Sequence, residues 1–281
     1  MKIHALTLNW NGKDRMPKLL RSLIPNVQDI KYQHDVKCTW YIRDNGSKDG
    51  SGDMVETWPE CSEPKNEVEV KTLMAGHNRD SFAKGMNSLF ELANPDDEDL
   101  ILLLNNDIEF QENAALTKMF ELQRKTKADV VGARLVYPAV TDFKLQHAGV
   151  IFSKRYNLLP YHFRPGEPVD STARKNRYFQ AVTAALCLVK ASAFRKIGGM
   201  DEGYKWAFED IDMCLSIGQF GKIAYCGETE VFHEESASLK KNPVNKMFVG
   251  KNVERFRKKW SGKYEIDHDM YLGNKDYKVI K

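Results

Sequence analysis

Several short polar segments in this chain follow apolar runs, and together they supply the acids, amides and imidazole that a metal-assisted group transfer uses. Asn105-Asn106-Asp107 comes directly after Asp99-Leu100-Ile101-Leu102-Leu103-Leu104. A carbonyl and a carboxylate at that spacing can share one magnesium or manganese ion, because hard cations take oxygen ligands and leave positions for substrate phosphates. The competing reading is an Asx-type turn. His233 follows Glu230-Val231-Phe232. It is either a packed structural histidine or, if that exit faces Asp107, the imidazole that completes a divalent site. Asp44 opens Asp44-Asn45-Gly46-Ser47-Lys48-Asp49-Gly50-Ser51, whose carboxylate, amide and hydroxyl suit a nucleoside. As a plain turn the same segment would cap a helix through Ser47 or Asp49.

A second concentration of acids lies in Gly198-Gly199-Met200-Asp201-Glu202 and Trp206-Ala207-Phe208-Glu209-Asp210-Ile211-Asp212-Met213. Acids in the first turn of a helix beginning near Phe208 are favoured by the macrodipole. The sharper reading is general-base catalysis. A carboxylate among Tyr204, Trp206 and Phe208 is partly desolvated, which raises its proton affinity toward what deprotonating a hydroxyl requires.

Rigid elements must hold these groups. Short apolar runs at Ile3–Leu8, Cys38–Ile42, Val68–Leu73 and Leu100–Leu104 alternate with helical patterns at Met16–Leu23 and Phe82–Leu92. This predicts an α/β fold with a mainly parallel central sheet flanked by helices. Leu100–Leu104 lacks polar alternation, as a central strand buried on both faces should. Ligands of such sheets bind outside the carboxyl ends of the strands, where Asn9-Trp10-Asn11-Gly12, Asp44–Ser51 and Asn105-Asn106-Asp107 all fall. Beyond residue 136 prolines punctuate longer connections, read as an acceptor-side elaboration. A buried strand is expected over Ala181–Val189, then a helix from Ala191 ending at Gly198-Gly199.

The 281 residues are 42% hydrophobic and 29% charged, which is ordinary for a globular chain, and a net charge of +3 does not by itself imply a polyanionic partner. Five widely spaced cysteines (Cys38, Cys61, Cys187, Cys214, Cys226) without a CxxC pair suggest reduced structural thiols. The first ten residues lack the apolar core of a secretory signal, and no window approaches the ~18 apolar residues of a membrane span. A cytoplasmic location is expected, with at most peripheral contact at the inner face of the membrane.

In order along the chain, these segments resemble the inverting glycosyltransferases of the GT-A fold, family 2, and within it the rhamnosyltransferase-like branch. The resemblance is carried by Leu8–Gly12, Asp44–Ser51, Phe82-Ala83-Lys84-Gly85-Met86-Asn87, Leu104–Asp107, Gln146-His147-Ala148-Gly149, Ala181–Ala185, Gly198–Glu202, Glu209–Asp212 and His233–Ser238. It implies a Rossmann-like sheet whose nucleotide-sugar side includes Asn9, Asn11, Asp44, Asn45, Ser47, Asn78, Asn105 and Asn106, with Asp44 near the nucleoside base. Asn105 and Asp107 occupy the place of the family's DxD motif, Asp107 and His233 hold the metal, and Asp210 is the base. Glu209, Trp206 and Asp201 face the acceptor. Asn105 replaces the first Asp of a strict DxD, Ala184 stands where glycine is usual, and His77-Asn78-Arg79-Asp80-Ser81 departs from the usual spacing.

The resemblance further implies residues 1–238 as the transferase domain, with a nucleotide-sugar half to about 136 and an acceptor half from about 137. A basic helical extension over 239–281 would pack on the same domain. The expected cofactor is Mn2+ or Mg2+ and the expected donor a UDP- or dTDP-sugar. A glycan or lipid-linked acceptor is expected, with modified bases of DNA as the alternative, since Lys240, Lys241, Lys246, Lys251, Arg255, Arg257, Lys258, Lys259 and Lys263 crowd the C-terminal stretch. A non-catalytic nucleotide- or glycan-binding scaffold is the reading from another class.

Overall fold

The computed structural model describes residues 1–56, 68–75, 80–138, 144–205, 207–234 and 244–281. One half of the main sheet is built from β1 (Lys2–Asn9), β2 (Lys37–Asp44), β3 (Val68–Met74) and β4 (Leu100–Leu104), all parallel in the order β3-β2-β1-β4. The other half contains β6 (Val130–Val136), β11 (Leu186–Lys190) and β12 (Ile223–His233). Here β11 is antiparallel to both β4 and β6, and β12 is parallel to β6. The direction of β6 and β12 is therefore that of β4, so β1, β2, β3, β4, β6 and β12 all end at one edge of the sheet, where β11 begins. The short β5 (Ile108–Phe110) and β7 (Leu145–His147) close that edge by pairing with the ends of β12 and β6. Beside it, β8 (Val150–Phe152) and β9 (Pro160–His162) form a two-stranded ribbon, and β10 (Arg177–Tyr178) pairs with β12 near its start. The expected α/β architecture with helices on both faces is what the chain adopts.

All five residues of β4 are buried. Leu100, Leu102 and Leu104 enter one core and Ile101 and Leu103 the other, which is why the run shows no polar alternation. The first core is covered by α1 (Met16–His34), through Met16, Leu19, Leu20, Leu23, Val27 and Ile30, and by α4 (Ala115–Thr126). This stripe at three- and four-residue spacing carries α1 well past Leu23, until Asp35 takes a left-handed cap with φ 52°. The second core receives α3 (Phe82–Ala93) and α6 (Glu209–Gly218). α2 (Ser51–Glu56) and α5 (Ala191–Lys196) are short connections, and α5 ends at Gly198 and Gly199, both at positive φ, as the sequence predicts.

The expected strand over Ala181–Val189 is shorter, beginning only at Leu186. Its first residues leave the ladder because their backbone groups find other partners: the Ala181 carbonyl accepts from Val150, and Ala184 donates to a side chain described below. Cys38, Cys187, Cys214 and Cys226 are buried and unbridged, with burial pushing the Cys38 thiol up to about 12, as inert structural thiols require. Cys61 lies outside the described residues, as do Lys240 and Lys241. Among the described residues no helix is long and apolar enough to cross a membrane.

The C-terminal stretch contributes α7 (Val244–Trp260) and α8 (His268–Gly273). α7 is joined to α6 at Asp212, which is 2% exposed. One oxygen of Asp212 accepts from Trp260 Nε1 at 2.7 Å and from the Tyr204 hydroxyl at 3.2 Å, while the other accepts from Lys259 Nζ at 2.7 Å. Lys259 is partly open to water, so its charge contributes little. The two neutral donors matter more, because each loses a buried partner if the carboxylate is removed. Asp212→Ala should destabilise the protein by about 3 kcal/mol and Trp260→Phe by about 1 kcal/mol in urea unfolding. An Asp212→Ala variant within about 0.5 kcal/mol of the parent would show that α7 is held by apolar packing alone.

Candidate active site

The loops after β1 and β2 are knotted around Asn9, which is fully buried. Its amide nitrogen donates to Asp44 Oδ1 at 2.8 Å and to the Ser51 hydroxyl at 2.9 Å, and its amide oxygen accepts from Asn106 Nδ2 at 3.2 Å. Asp44 spends both oxygens inside the loop: Oδ2 accepts the Ser47 N–H at 2.8 Å and Oδ1 the Ser47 hydroxyl at 2.6 Å. Asn11, at φ 50°, receives the Lys48 N–H on its side-chain oxygen and gives its own N–H to Ser47. Asn45 is 4% exposed and its side-chain oxygen accepts from Arg43 Nε. Asp49, one residue before the Gly50 that leads into α2, accepts the Ser51 N–H and so satisfies one of the helix's first free N–H groups. Gly12 is required by space: a Cβ there would sit 2.2 Å from Asn9 Oδ1 and 2.8 Å from Asn106 Nδ2.

The exit of β4 meets the end of β12 because β5 places Ile108 opposite His233. Asp107, the residue before, thereby faces the imidazole, with Oδ1 at 3.1 Å from His233 Nε2. Asn105 Nδ2 is 3.4 Å from the same nitrogen. Burial alone would raise the Asp107 carboxyl, but the hydrogen bond and charge of His233, followed by the charge of Arg15, outweigh it and hold the group below the usual aspartate value. Arg15, just before α1, and Lys18 in its first turn both pair with Glu234, each at 3.2 Å, so two cations line the small crevice that holds Asp107.

These groups fit a divalent cation. The 3.1 Å between Asp107 Oδ1 and His233 Nε2 is close to the ~3.0 Å edge of an octahedron with ~2.1 Å bonds. Among the described residues no three His, Cys, Asp or Glu side chains gather to hold an ion unaided. The remaining positions would fall to the Asn105 amide, water and substrate phosphates, as magnesium-type sites commonly arrange.

Across the crevice edge, the Asn105 N–H donates to the Ala185 carbonyl at 2.9 Å, and the adjacent Ala184 N–H donates to Asp210 Oδ2 at 3.2 Å. Asp210 Oδ1 accepts the Ile211 N–H at 2.8 Å. Beside it, Glu209 has one carboxylate oxygen buried without a hydrogen-bond partner. Burial first, and then the charge of Asp210, push the Glu209 carboxyl well above its ordinary value of 4.5. Asp201 is turned toward α7, where Arg255 reaches both of its oxygens. Asn78 and Trp206 lie outside the described residues.

The structure thus brings Asn9, Asn11, Asp44, Asn45, Ser47, Asn105, Asn106, Asp107, Glu209, Asp210 and His233 to one sheet edge. Two contributors escaped the sequence reading. Arg15 gives no signal beyond being basic. Gln146 is visible only as part of a matched segment, yet its side chain contacts His233 twice. A cavity of about 640 Å3 at the opposite edge, near the start of β12, contains none of these residues.

Residues 8–186 match Glycosyl transferase family 2, and the chain belongs to that family. An uncharacterized protein of Sinorhizobium fredii is 30% identical over 172 residues, 58% of this chain but only 18% of that protein, so the chain spans a small part of this relative's length. The N-acetylglucosaminyl-diphospho-decaprenol L-rhamnosyltransferase of Mycobacterium tuberculosis is 24% identical over 226 residues, covering 73% of this chain and 69% of its own. Among solved structures, GalNAc-T7 with UDP, GalNAc and Mn2+ superposes with a TM-score of 0.62 at 14% identity, over 83% of this chain and 44% of that one. The shared architecture is the GT-A glycosyltransferase fold.

The environment of Glu209 has a consequence for stability. Its folded pKa lies above the ordinary 4.5, so in that interval the folded state binds a proton that the unfolded state has released. Stability from this group is complete below the ordinary value and is lost as pH rises through the folded value. Glu209→Gln should therefore flatten the decline in melting temperature between pH 5 and 9 and leave the variant more stable than the parent at the alkaline end. Parallel melting curves across that range would instead mean that Glu209 ionises freely in the folded protein.

Proposed function

We propose that the chain transfers a sugar from a nucleoside-diphosphate sugar to an acceptor hydroxyl, with inversion at the anomeric carbon and the help of Mn2+ or Mg2+. The observation that carries this reading is the backbone link between the two halves of the site: Ala185 accepts from Asn105 while its neighbour Ala184 donates to Asp210. A candidate base is thereby held within two peptide units of the candidate diphosphate site. In the proposed step Asp210 takes the proton of the acceptor hydroxyl as that oxygen attacks the anomeric carbon. The bond from that carbon to the diphosphate oxygen breaks with both electrons leaving on the nucleotide, so no covalent sugar intermediate forms.

A bound divalent ion would supply electrostatic and Lewis-acid stabilisation of the departing diphosphate. Asp107, His233 and Asn105 would hold it, and Arg15 and Lys18 would add positive charge beside it. The Asn9–Asp44–Ser47 knot would support the nucleoside side. Residues 1–238 form the catalytic unit in this reading and 239–281 an extension packed on it. A lipid-linked glycan is the favoured acceptor, in line with the decaprenyl-linked substrate in the name of the mycobacterial relative, and UDP or dTDP the favoured nucleotide.

With a matched donor, Asp210→Asn should reduce transfer by about 10²- to 10⁴-fold while retaining Mn2+-dependent thermal stabilisation by the nucleotide sugar. Asp107→Ala should lose that stabilisation as well. Undiminished turnover by Asp210→Asn would remove the base assignment, and nucleotide-sugar binding without any turnover in the parent would favour the scaffold reading.

A further inference from the structure

We infer that Gln146 is a positioning residue that decides which nitrogen of His233 faces the crevice. The consequence for metal binding rests on the metal-assisted reading above, whereas the geometry stands without it. Gln146 lies in β7, paired to the end of β6 through Leu135–His147 and Val136–Leu145. Its side chain, 3% exposed, closes two hydrogen bonds on one residue. Gln146 Nε2 donates to the main-chain carbonyl of His233 at 3.1 Å, and Gln146 Oε1 lies 2.6 Å from His233 Nδ1.

The first bond fixes the orientation of the amide, because turning it over would set oxygen against oxygen. Oε1 can only accept, so Nδ1 must carry the ring proton. In the neutral ring Nε2 is then a bare lone pair, and this is the atom 3.1 Å from Asp107 Oδ1. Two acceptors facing each other at that distance repel unless a proton or a metal ion lies between them, so the hydrogen bond from His233 to Asp107 belongs to the doubly protonated ring alone.

Asp107 taken alone would prefer the other tautomer, with Nε2–H donating to its carboxylate and no lone pair offered to an ion. Gln146 thus works against the local preference of the pair, so that a ligand atom is presented before an ion arrives. Hydrogen-bond partners of metal-bound histidines commonly act in this way.

The test reads the tautomer directly. In metal-free protein labelled with 15N-histidine, long-range 1H–15N correlations on the neutral ring should show His233 protonated at Nδ1. Gln146→Leu should move that proton to Nε2 and weaken Mn2+ binding, followed by EPR of the free ion without any sugar donor, by about 10- to 100-fold. Gln146→Glu keeps an acceptor for Nδ1–H but loses the donor to the His233 carbonyl, and should restore the Nδ1–H tautomer with only part of the affinity. An Nε2–H tautomer in the parent overturns the inference, as does a Gln146→Leu variant with the parent's tautomer and affinity. If Gln146→Leu does not fold, the parent spectrum decides, with Nε2–H there being the negative result. A parent that shows Nδ1–H yet binds no Mn2+ would count against the metal-assisted reading and not against the tautomer assignment.

Discussion

The site depends on the reversal of β11 between two strands that run the other way. Leu186 pairs with Leu104, so β11 begins where β4 ends, and the backbone just before it arrives at the crevice with groups the ladder has not consumed. One of them, the Ala185 carbonyl, takes the Asn105 N–H, and the next, the Ala184 N–H, goes to Asp210. Had β11 been parallel, its start would lie at the far edge, and the acids after β4 and at the head of α6 would share no backbone connection. For the proposed transfer, rigidity of this kind would matter because small misplacements of reacting groups are costly in rate. The connection is also insensitive to side-chain identity, which is how alanine can stand at position 184.

A second constraint is electrostatic. The ends of β1, β2 and β4 bring the buried amide of Asn9 and carboxylate of Asp44 against the half-buried amide of Asn106, and buried polar groups are costly unless paired. Asn9 meets that demand by using both ends of its amide, donating to Asp44 and Ser51 and accepting from Asn106. The loops are therefore one cooperative unit. In the proposed reading, a nucleotide meeting such a loop would not need to order it, so less binding energy would be lost to conformational entropy.

Much of this was legible in the sequence where it rests on periodicity and strand exits. The unbroken apolar run of Leu100–Leu104, the stripe of α1 and the paired glycines after α5 each correspond to a local rule, and the structure follows them. Properties that depend on which residues meet across the fold were not legible. Gln146 and His233 are 87 positions apart, and only the pairing of β6 with both β7 and β12 brings them together. Glu209 and Asp210 look equivalent as acids in a first helical turn. Their difference arises because Asp210 finds two backbone N–H groups while one Glu209 oxygen finds none. The shortened β11 has the same origin, since apolar composition over Ala181–Val189 does not reveal that part of its backbone is engaged elsewhere.

The turn from which Glu209 and Asp210 project links the site to the C-terminal helix. Ala207 and Phe208 have φ of 63° and 76°, a conformation that is unfavourable for residues with a side chain, especially an aromatic one. Such strain costs on the order of 1–3 kcal/mol per residue and persists only where surroundings impose it. Here α7 supplies them: Asn252, 2% exposed, donates to the Ala207 carbonyl at 3.2 Å, and the Phe208 ring packs on Phe256 with centroids 5.2 Å apart. The left-handed pair leads directly into α6, whose second residue, Asp210, meets the Ala184 N–H. Helix α7 therefore braces the turn beside the candidate base through its buried Asn252 and Phe256, whatever its exposed basic face meets.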